Sequence, residues 1–207
     1  MTDTQKKPLW KNELVWLFLI TSGLFAILYS KFILGGYAYV FTDTGADTMQ
    51  INYAQYGLFS SLFRSGESGY VLQAGLGMDV SSYYPAYLIP YNLLILLAPQ
   101  RLLPWAVLAS AYLKMITISL VGYLFYRKLM QDGIGTMAAA LAWTFSGYVI
   151  LWGQHYGFCT CMALFTVFMY FLQCYLNGEQ RWKSAGLVIT VTMLLISSYY
   201  FLYMIAF

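Results

Sequence analysis

Long apolar stretches constrain this chain more than any other feature of its sequence. Runs of spanning length occur at Leu14–Leu34, Leu102–Tyr126, Thr136–Trp152, Phe158–Leu176 and Ala185–Phe207. Since roughly 20 mainly apolar residues cross a bilayer as a helix, each run predicts a transmembrane helix. Charged residues make up only 9% of the chain and apolar residues 60%, which excludes a water-soluble globule. The sequence predicts an all-α, polytopic membrane protein, with residues 1–207 forming a single membrane domain of about five transmembrane helices.

The few basic residues predict how the chain is oriented. Lys6, Lys7 and Lys11 precede the first apolar run, which is 21 residues long and therefore longer than the apolar core of a secretory signal, roughly 7–15 residues. Because Lys and Arg collect in cytoplasmic loops, we interpret residues 1–13 as a cytoplasmic tail and the first run as an uncleaved span. The net charge of +3 comes from scattered residues, which excludes a nucleic-acid-binding stripe.

The apolar segment Ala86–Ala98 is ambiguous, because it is short and contains Pro90. If it crossed the membrane, every later loop would be inverted. If it does not cross, four later basic residues join the N-terminal lysines on the cytoplasmic side: Arg127, Lys128, Arg181 and Lys183. The second arrangement follows the positive-inside rule, so the sequence predicts a re-entrant or interfacial segment within one long external loop, residues 35–101.

The external loop contains a second patterned segment and half of the acidic residues. Thr48–Phe63 has apolar residues at three- and four-residue spacing, which predicts an amphipathic helix along the outer membrane surface: Met49, Tyr53, Tyr56, Phe59 and Phe63. Four of the eight acidic residues lie in the loop: Asp43, Asp47, Glu67 and Asp79. Loops of this length usually carry function.

Asp43 and Asp47 follow the first span in YVFTDTGADTMQ, near the expected depth of a lipid headgroup. A carboxylate there could act as a general base towards a hydroxyl. Asp47 also has Gln50 three residues later, the spacing of a capping box. Both roles stay open, because a capping carboxylate can also face a pocket.

Lys114 and His155 are the next candidates. Lys114 lies at the middle of its apolar run, too deep for the ammonium to reach water easily. It should face a cavity and an anionic headgroup, or pair with a structural partner such as a helix-terminal carbonyl. His155, in the external turn WGQHYG, is either a pocket donor or proton relay, or an ordinary interfacial histidine.

Tyrosine-rich tracts and cysteines complete the set of notable residues. SSYYPAY, which contains Tyr84, and SSYYFLY could line a sugar or headgroup cavity, although interfacial belts and packing are the alternative. The three cysteines lie within apolar sequence without the spacing of a zinc site, so we expect small core residues: Cys159, Cys161 and Cys174.

Several of these segments, in this order, resemble the N-terminal part of the YfhO family, bacterial multi-pass proteins related to the GT-C class of membrane glycosyltransferases. The resemblance includes DTGADTMQINYAQY, the glycine loop around GLG, YYPAYLIPYNLLILLAP, Lys114 in AYLKMITISLVGYLFY, and FSGYVILWGQH. Members of the family are several times longer, so we expect this chain to be the front part of a larger enzyme.

The resemblance implies an enzyme of the bacterial cell membrane that uses a polyprenyl-phosphate sugar donor on the outer face and modifies an envelope polymer or lipid. It implies catalysis by Asp47, the aspartate of an Asp-x-x-Gln pattern, with Asp43 as the second candidate. Residues expected to bind substrate are Arg101, Lys114, His155, Gln50 and Tyr84, with Arg101 best placed for the donor phosphate. A divalent cation is compatible with the acidic loop, but no metal site is predicted.

Two other functions remain open on sequence grounds. A lipid or solute transporter, or a flippase, would use Lys114 and the broken apolar segment as its substrate or coupling site. A non-catalytic membrane scaffold is the third possibility. In each case the partners are membrane lipids, and the N-terminus is cytoplasmic.

Overall fold

The computed structural model describes residues 12–41, 48–67, 69–72, 77–81, 87–130, 132–179, 181–198 and 203. Nine α-helices lie in these ranges: α1 Glu13–Leu28, α2 Ser30–Leu34, α3 Ala54–Ser65, α4 Pro90–Leu97, α5 Leu103–Leu129, α6 Gly133–Thr144, α7 Gly147–Leu151, α8 Tyr156–Leu176 and α9 Arg181–Ser197. A π-helix spans Thr48–Tyr53, and 3-10 turns span Gln100–Leu102 and Trp152–Gln154. The two-residue strands β1 (Tyr70–Val71) and β2 (Met78–Asp79) pair antiparallel.

Among the described residues, three helical stretches are long and apolar enough to cross a membrane: Gln100–Leu129, Gly133–Gln154 and Tyr156–Leu176. The structure therefore confirms a mainly helical chain that contains helices long and apolar enough to span a membrane. Helices α1 and α9 are apolar but have only 16 and 17 residues, so five spans remain a prediction. The first predicted span is interrupted at Tyr29, between α1 and α2, and the third between α6 and α7.

Helix α5 is the centre of the bundle and packs against α1, α4, α6 and α8, while α9 packs against α8. Buried hydroxyls connect α1 with α5, since Thr21 Oγ1 and Ser119 Oγ lie 2.7 Å apart. The indole of Trp143 on α6 donates to Thr166 Oγ1 on α8 at 2.9 Å. Such bonds satisfy polar groups that lipid cannot.

Charged side chains meet where α5 and α8 end and where α1 and α9 begin. Lys128 Nζ lies 2.5 Å from a carboxylate oxygen of Glu179, and Lys183 pairs with the other oxygen. The Tyr123 hydroxyl donates to Glu13. We call this the ion-paired end, defined by Glu13, Tyr123, Lys128, Glu179 and Lys183. The helix ends gathered here are those that the charge distribution predicts to share one side.

The opposite end is built from aromatic side chains, and we call it the aromatic end, defined by Tyr29, Tyr39, Tyr56, Tyr87 and Tyr156. The described parts of the segment between α2 and α5, which include α3 and α4, pack on this end of the bundle. Ser60 Oγ on α3 donates to the carbonyl of Ala98 at 2.7 Å, just beyond α4. Gln100 donates to the carbonyl of Gly57 at 2.6 Å. These bonds hold α3 against the start of the central helix.

The predicted amphipathic helix is present from Thr48 to Ser65, as the π-helix followed by α3. Tyr56 and Phe59 are buried, as members of an apolar face should be, but Met49 and Phe63 are 48% and 37% exposed. Phe59 stacks on Tyr87 with ring centroids 4.1 Å apart. Protein therefore covers the centre of this face, whereas we expected lipid headgroups to cover it.

The ambiguous apolar segment forms helix α4, which has eight residues. At about 1.5 Å per residue it is roughly 12 Å long, less than half of the roughly 30 Å hydrocarbon core, so it cannot cross the membrane alone. Asn92, Ile95 and Leu96 are buried, whereas Leu97 is 63% exposed. These facts fit both a re-entrant and an interfacial helix, and the choice between them remains a prediction.

Candidate functional site

Two cavities adjoin each other at the aromatic end, and Tyr56 lines both. The smaller has a volume of about 10 Å³ and is lined in part by Lys114; we call it the lysine cavity. The larger has a volume of about 190 Å³ and lies among α3, α4, α8 and α9; we call it the polar cavity.

Lys114 is 3% exposed, on the central helix α5. Its Nζ donates to the backbone carbonyl of Tyr156 at 3.1 Å, the first residue of α8. Of the two arrangements that the sequence left open, the structure has the carbonyl contact, and it also places Lys114 beside a cavity. A role in binding substrate remains a prediction.

Ser110 lies one turn before Lys114 on α5 and lines the same cavity. Its buried hydroxyl has no hydrogen-bond partner within the part of the chain that the structure describes. The ammonium of Lys114 can donate three hydrogen bonds. The lysine cavity is therefore a buried space beside polar groups with hydrogen-bonding capacity to spare.

Tyr156 connects this lysine with the neighbouring segments. Its hydroxyl donates to the carbonyl of Tyr39, between α2 and the π-helix. Its ring stacks on Tyr56 of α3, with centroids 5.3 Å apart and planes 13° apart. Desolvation by burial, followed by the neighbouring Tyr29 hydroxyl, raises the pKa of Tyr39, so this hydroxyl stays protonated at neutral pH.

The polar cavity is lined by amides and hydroxyls: Asn52, Gln55, Tyr87, Asn92, Thr160 and Ser197. None of the nine described residues that line it is charged. The Tyr56 hydroxyl donates to Asn92 Oδ1 at 3.3 Å, and the Tyr87 hydroxyl donates to Gln55 Oε1 at 3.2 Å. The cavity therefore has fixed, uncharged hydrogen-bonding groups beside aromatic rings.

Sequence reasoning missed the amides of this cavity. Asn52 and Gln55 lie three residues apart on the predicted amphipathic helix, and Asn92 is the one amide in the otherwise apolar PYNLLILL. An amide side chain on an otherwise apolar helix face is a signal of such a site, because a buried amide needs hydrogen-bond partners. Each of the two tyrosine-rich tracts contributes one described residue to the lining of this cavity, Tyr87 and Ser197.

The other predicted binding residues are more scattered. His155 is half-buried before α8, with ring contacts to Trp152 and Phe158 at 5.6 and 5.1 Å. Gln50 and Arg101 are exposed and line neither cavity. The structure therefore brings Lys114 to a cavity, and it leaves these two residues on the surface.

Asp43, Asp47 and Tyr84 lie outside the residues that the structure describes. Within the described residues, no group of three His, Cys, Asp or Glu side chains could hold a metal ion, so a divalent cation bound by the aspartates remains a prediction. The three cysteines are buried and unbridged, in agreement with their expected role as core residues.

Comparisons with protein-family models, curated proteins and solved structures give no significant match. The resemblance to the YfhO family therefore rests on the sequence segments alone.

Proposed function

We propose that the chain is part of a bacterial membrane glycosyltransferase, which transfers a sugar from a polyprenyl-phosphate donor to an envelope acceptor. One observation carries the proposal: the described parts of the segment between α2 and α5 pack, beside the two cavities, on helices that are long and apolar enough to span a membrane. A lipid-linked sugar has its chain in the bilayer and its headgroup at the surface. An enzyme that uses it needs a site where both meet, and the aromatic end offers one.

Both flanks of the acidic stretch contact residues at the start of α8 or in the 3-10 turn that precedes it. Tyr39, four residues before Asp43, accepts the Tyr156 hydroxyl through its carbonyl. Thr48, directly after Asp47 in the sequence, donates to the carbonyl of Gln154 at 3.2 Å. These contacts support a role for the aspartates at this end of the bundle.

In the proposed reaction Asp47 or Asp43 accepts the proton of the acceptor hydroxyl as that oxygen attacks the anomeric carbon. The bond between this carbon and the phosphate oxygen breaks, and polyprenyl phosphate leaves with both bonding electrons. Arg101 or Lys114 would stabilise the leaving phosphate. A divalent cation held by the aspartates would serve the same purpose, and the proposal does not depend on it.

Replacing both candidate bases tests the proposal. In the full-length protein reconstituted into liposomes with a polyprenyl-phosphoryl sugar, the Asp43→Asn and Asp47→Asn double variant should lose about 10²–10⁴-fold in transfer rate, the usual contribution of a general base. Asp79→Asn, an exposed carboxylate in the same segment, is the control and should keep its activity. Full transfer by the double variant would refute the general-base assignment.

A flippase or transporter is the second candidate, and the buried ammonium of Lys114 together with the short helix α4 favours it. Such a protein would move the lipid-linked sugar between leaflets without cleaving it. The same liposomes distinguish the two functions, because only a transferase releases polyprenyl phosphate. In either function the ion-paired end would face the cytoplasm, with the N-terminus.

A further inference from the structure

We propose that the polar cavity binds an uncharged, polyhydroxylated ring, such as the pyranose ring of a sugar. Nothing in the sequence pattern assigned Asn52, Gln55, Asn92 or Thr160 to a site. The inference concerns what this cavity binds, and it can hold whether or not the protein transfers the ligand.

The chemistry of the lining favours such a ring over a charged headgroup. An amide offers both donors and an acceptor, and a hydroxyl offers one of each, which matches the alternating donors and acceptors of ring hydroxyls. No described lining residue carries a charge, and Lys114 is directed to the Tyr156 carbonyl, so a phosphate or carboxylate placed among the lining side chains would lose hydration without direct contact with a cation, which is costly. The adjoining Lys114 lines the other cavity.

Aromatic rings give the cavity a rigid apolar corner. Tyr56 and Tyr87 meet edge to face, with centroids 5.8 Å apart and planes at 84°. Phe59, which is fully buried, stacks on Tyr87. Binding pockets commonly combine aromatic walls with a few placed polar groups, and a pyranose ring has an apolar face as well as polar edges.

The hydrogen bonds of the lining fix its amides before any ligand arrives. Gln55 accepts from the Tyr87 hydroxyl, and Asn92 accepts from the Tyr56 hydroxyl. Side chains held in this way lose less conformational entropy when they bind a ligand. Thr160 donates to the Tyr156 carbonyl at 3.1 Å, which is also the acceptor of Lys114.

The cavity is larger than the space that a single water or ion needs. Its volume is about 190 Å³, whereas one water needs roughly 10–15 Å³ measured in this way. The cavity therefore has room for a small ring.

Two sources could supply this ring: a soluble glycoside, or the sugar of a lipid-linked donor, and the second rests on the proposed function. Isothermal titration of the full-length protein in lipid nanodiscs separates them with three probes. These are methyl β-D-glucopyranoside, polyprenyl-phosphoryl glucose, and polyprenyl phosphate without sugar. If the ring comes from a soluble glycoside, methyl β-D-glucopyranoside should bind saturably. If it comes from a lipid-linked donor, polyprenyl-phosphoryl glucose should bind more tightly than polyprenyl phosphate.

Three variants test the lining. Tyr87→Phe and Thr160→Val preserve shape and remove one hydroxyl each, and Asn92→Leu removes the buried amide. Each should weaken binding of the sugar-bearing probes about tenfold or more and leave polyprenyl phosphate unaffected. Tyr112→Phe is the matched control, because the Tyr112 hydroxyl lies 2.8 Å from Ser22 Oγ, away from this cavity. This variant should bind all three probes as the wild type does. Thermal unfolding midpoints identify any variant that fails to fold.

The inference is overturned if the wild type shows no saturable binding of methyl β-D-glucopyranoside and also binds polyprenyl-phosphoryl glucose no more tightly than polyprenyl phosphate. It is also overturned if the well-folded variants Tyr87→Phe and Thr160→Val bind both sugar probes as the wild type does. Failure of the proposed function gives a different pattern. Sugar binding that depends on the lining, without any transfer, would support the cavity and remove the transferase.

Discussion

The two ends of the bundle use polar groups in opposite ways. At the ion-paired end the side chains of Lys128, Glu179 and Lys183 are 21%, 26% and 16% exposed, and they neutralise one another. At the aromatic end Lys114 is 3% exposed and contacts a backbone carbonyl. Partly exposed ion pairs such as these contribute little, whereas a buried ammonium in a membrane is costly and usually functional. The aromatic end is therefore the better candidate for binding and chemistry.

The largest expected effect comes from a substitution in the buried core of the aromatic end. Phe59→Ala removes a fully buried ring that stacks on Tyr87. We expect the free energy of unfolding to fall by about 3–5 kcal/mol, the usual cost of truncating a buried Phe. Unfolding in mixed detergent micelles, followed by circular dichroism, measures this change. Hydrogen exchange should rise in α3 and α4 and stay unchanged near Glu179.

Phe63→Ala is the matched control, since this ring lies one turn further along α3 and is 37% exposed. Phe63→Ala should lower the free energy of unfolding by clearly less, because the Phe63 ring buries less apolar surface in the fold than the Phe59 ring does. Equal effects of the two substitutions would mean that packing of α3 on the protein does not hold the aromatic end together.

Sequence periodicity predicted a mainly helical chain, because apolar runs of spanning length have few alternatives in a membrane, and three of these runs form helices of spanning length. It also located the helix that begins at Thr48. It could not tell what would cover the Tyr56 and Phe59 face, because headgroups and protein both suit aromatic side chains. The deciding partners, Tyr87 and Tyr156, lie 28 residues or more further along the chain from Phe59, a separation that no local pattern spans.

The candidate site was only partly predictable for the same reason. Lys114 was conspicuous because a charge within an apolar run is rare. Its carbonyl partner was not identifiable, since every residue has a carbonyl. The amides of the polar cavity come from separate helices, so only the tertiary fold shows that Gln55, Asn92 and Thr160 share one space.

Replacing the buried ammonium sharpens the contrast between the ends. Lys114→Met keeps much of the side-chain volume and removes the charge. We expect little loss of stability, because two effects oppose each other. The variant loses a hydrogen bond from a charged donor, worth about 1.5–3 kcal/mol. It also no longer buries a charge, which costs roughly 2.5–3.5 kcal/mol in the wild type. Transfer activity should nevertheless fall at least tenfold if the lysine serves the substrate. Detergent unfolding and the liposome assay measure the two effects.

Lys31→Met removes an exposed lysine of α2 and controls for the loss of positive charge. It should change neither stability nor transfer appreciably. A fall in stability for Lys114→Met as large as that for Phe59→Ala would show that the carbonyl contact mainly stabilises the fold. The aromatic end would then not differ from the ion-paired end by having a lysine that serves binding.

The smallest effect is expected at the ion-paired end, from Glu179→Gln. Hydrogen bonds with Lys128 and then Lys183 lower the pKa of the Glu179 carboxyl to about 2, from an ordinary value of 4.5. A carboxyl with a lowered pKa stabilises the folded state at pH values above 4.5, and this contribution is lost as the pH falls from there through about 2. The variant should therefore unfold at most a few degrees below the wild type at pH 7.

The pH dependence of that small difference decides whether the ion pairs cause it. Between pH 4.5 and 2 the unfolding midpoints of the wild type and Glu179→Gln should converge, because the wild-type carboxyl becomes protonated there. High salt at pH 7 should reduce the difference as well, since these partly exposed charges are screened. A difference that persists unchanged at pH 2 would come from packing or hydrogen bonding by the neutral side chain. The ion-paired end would then resemble the aromatic end, where burial and not charge pairing determines stability.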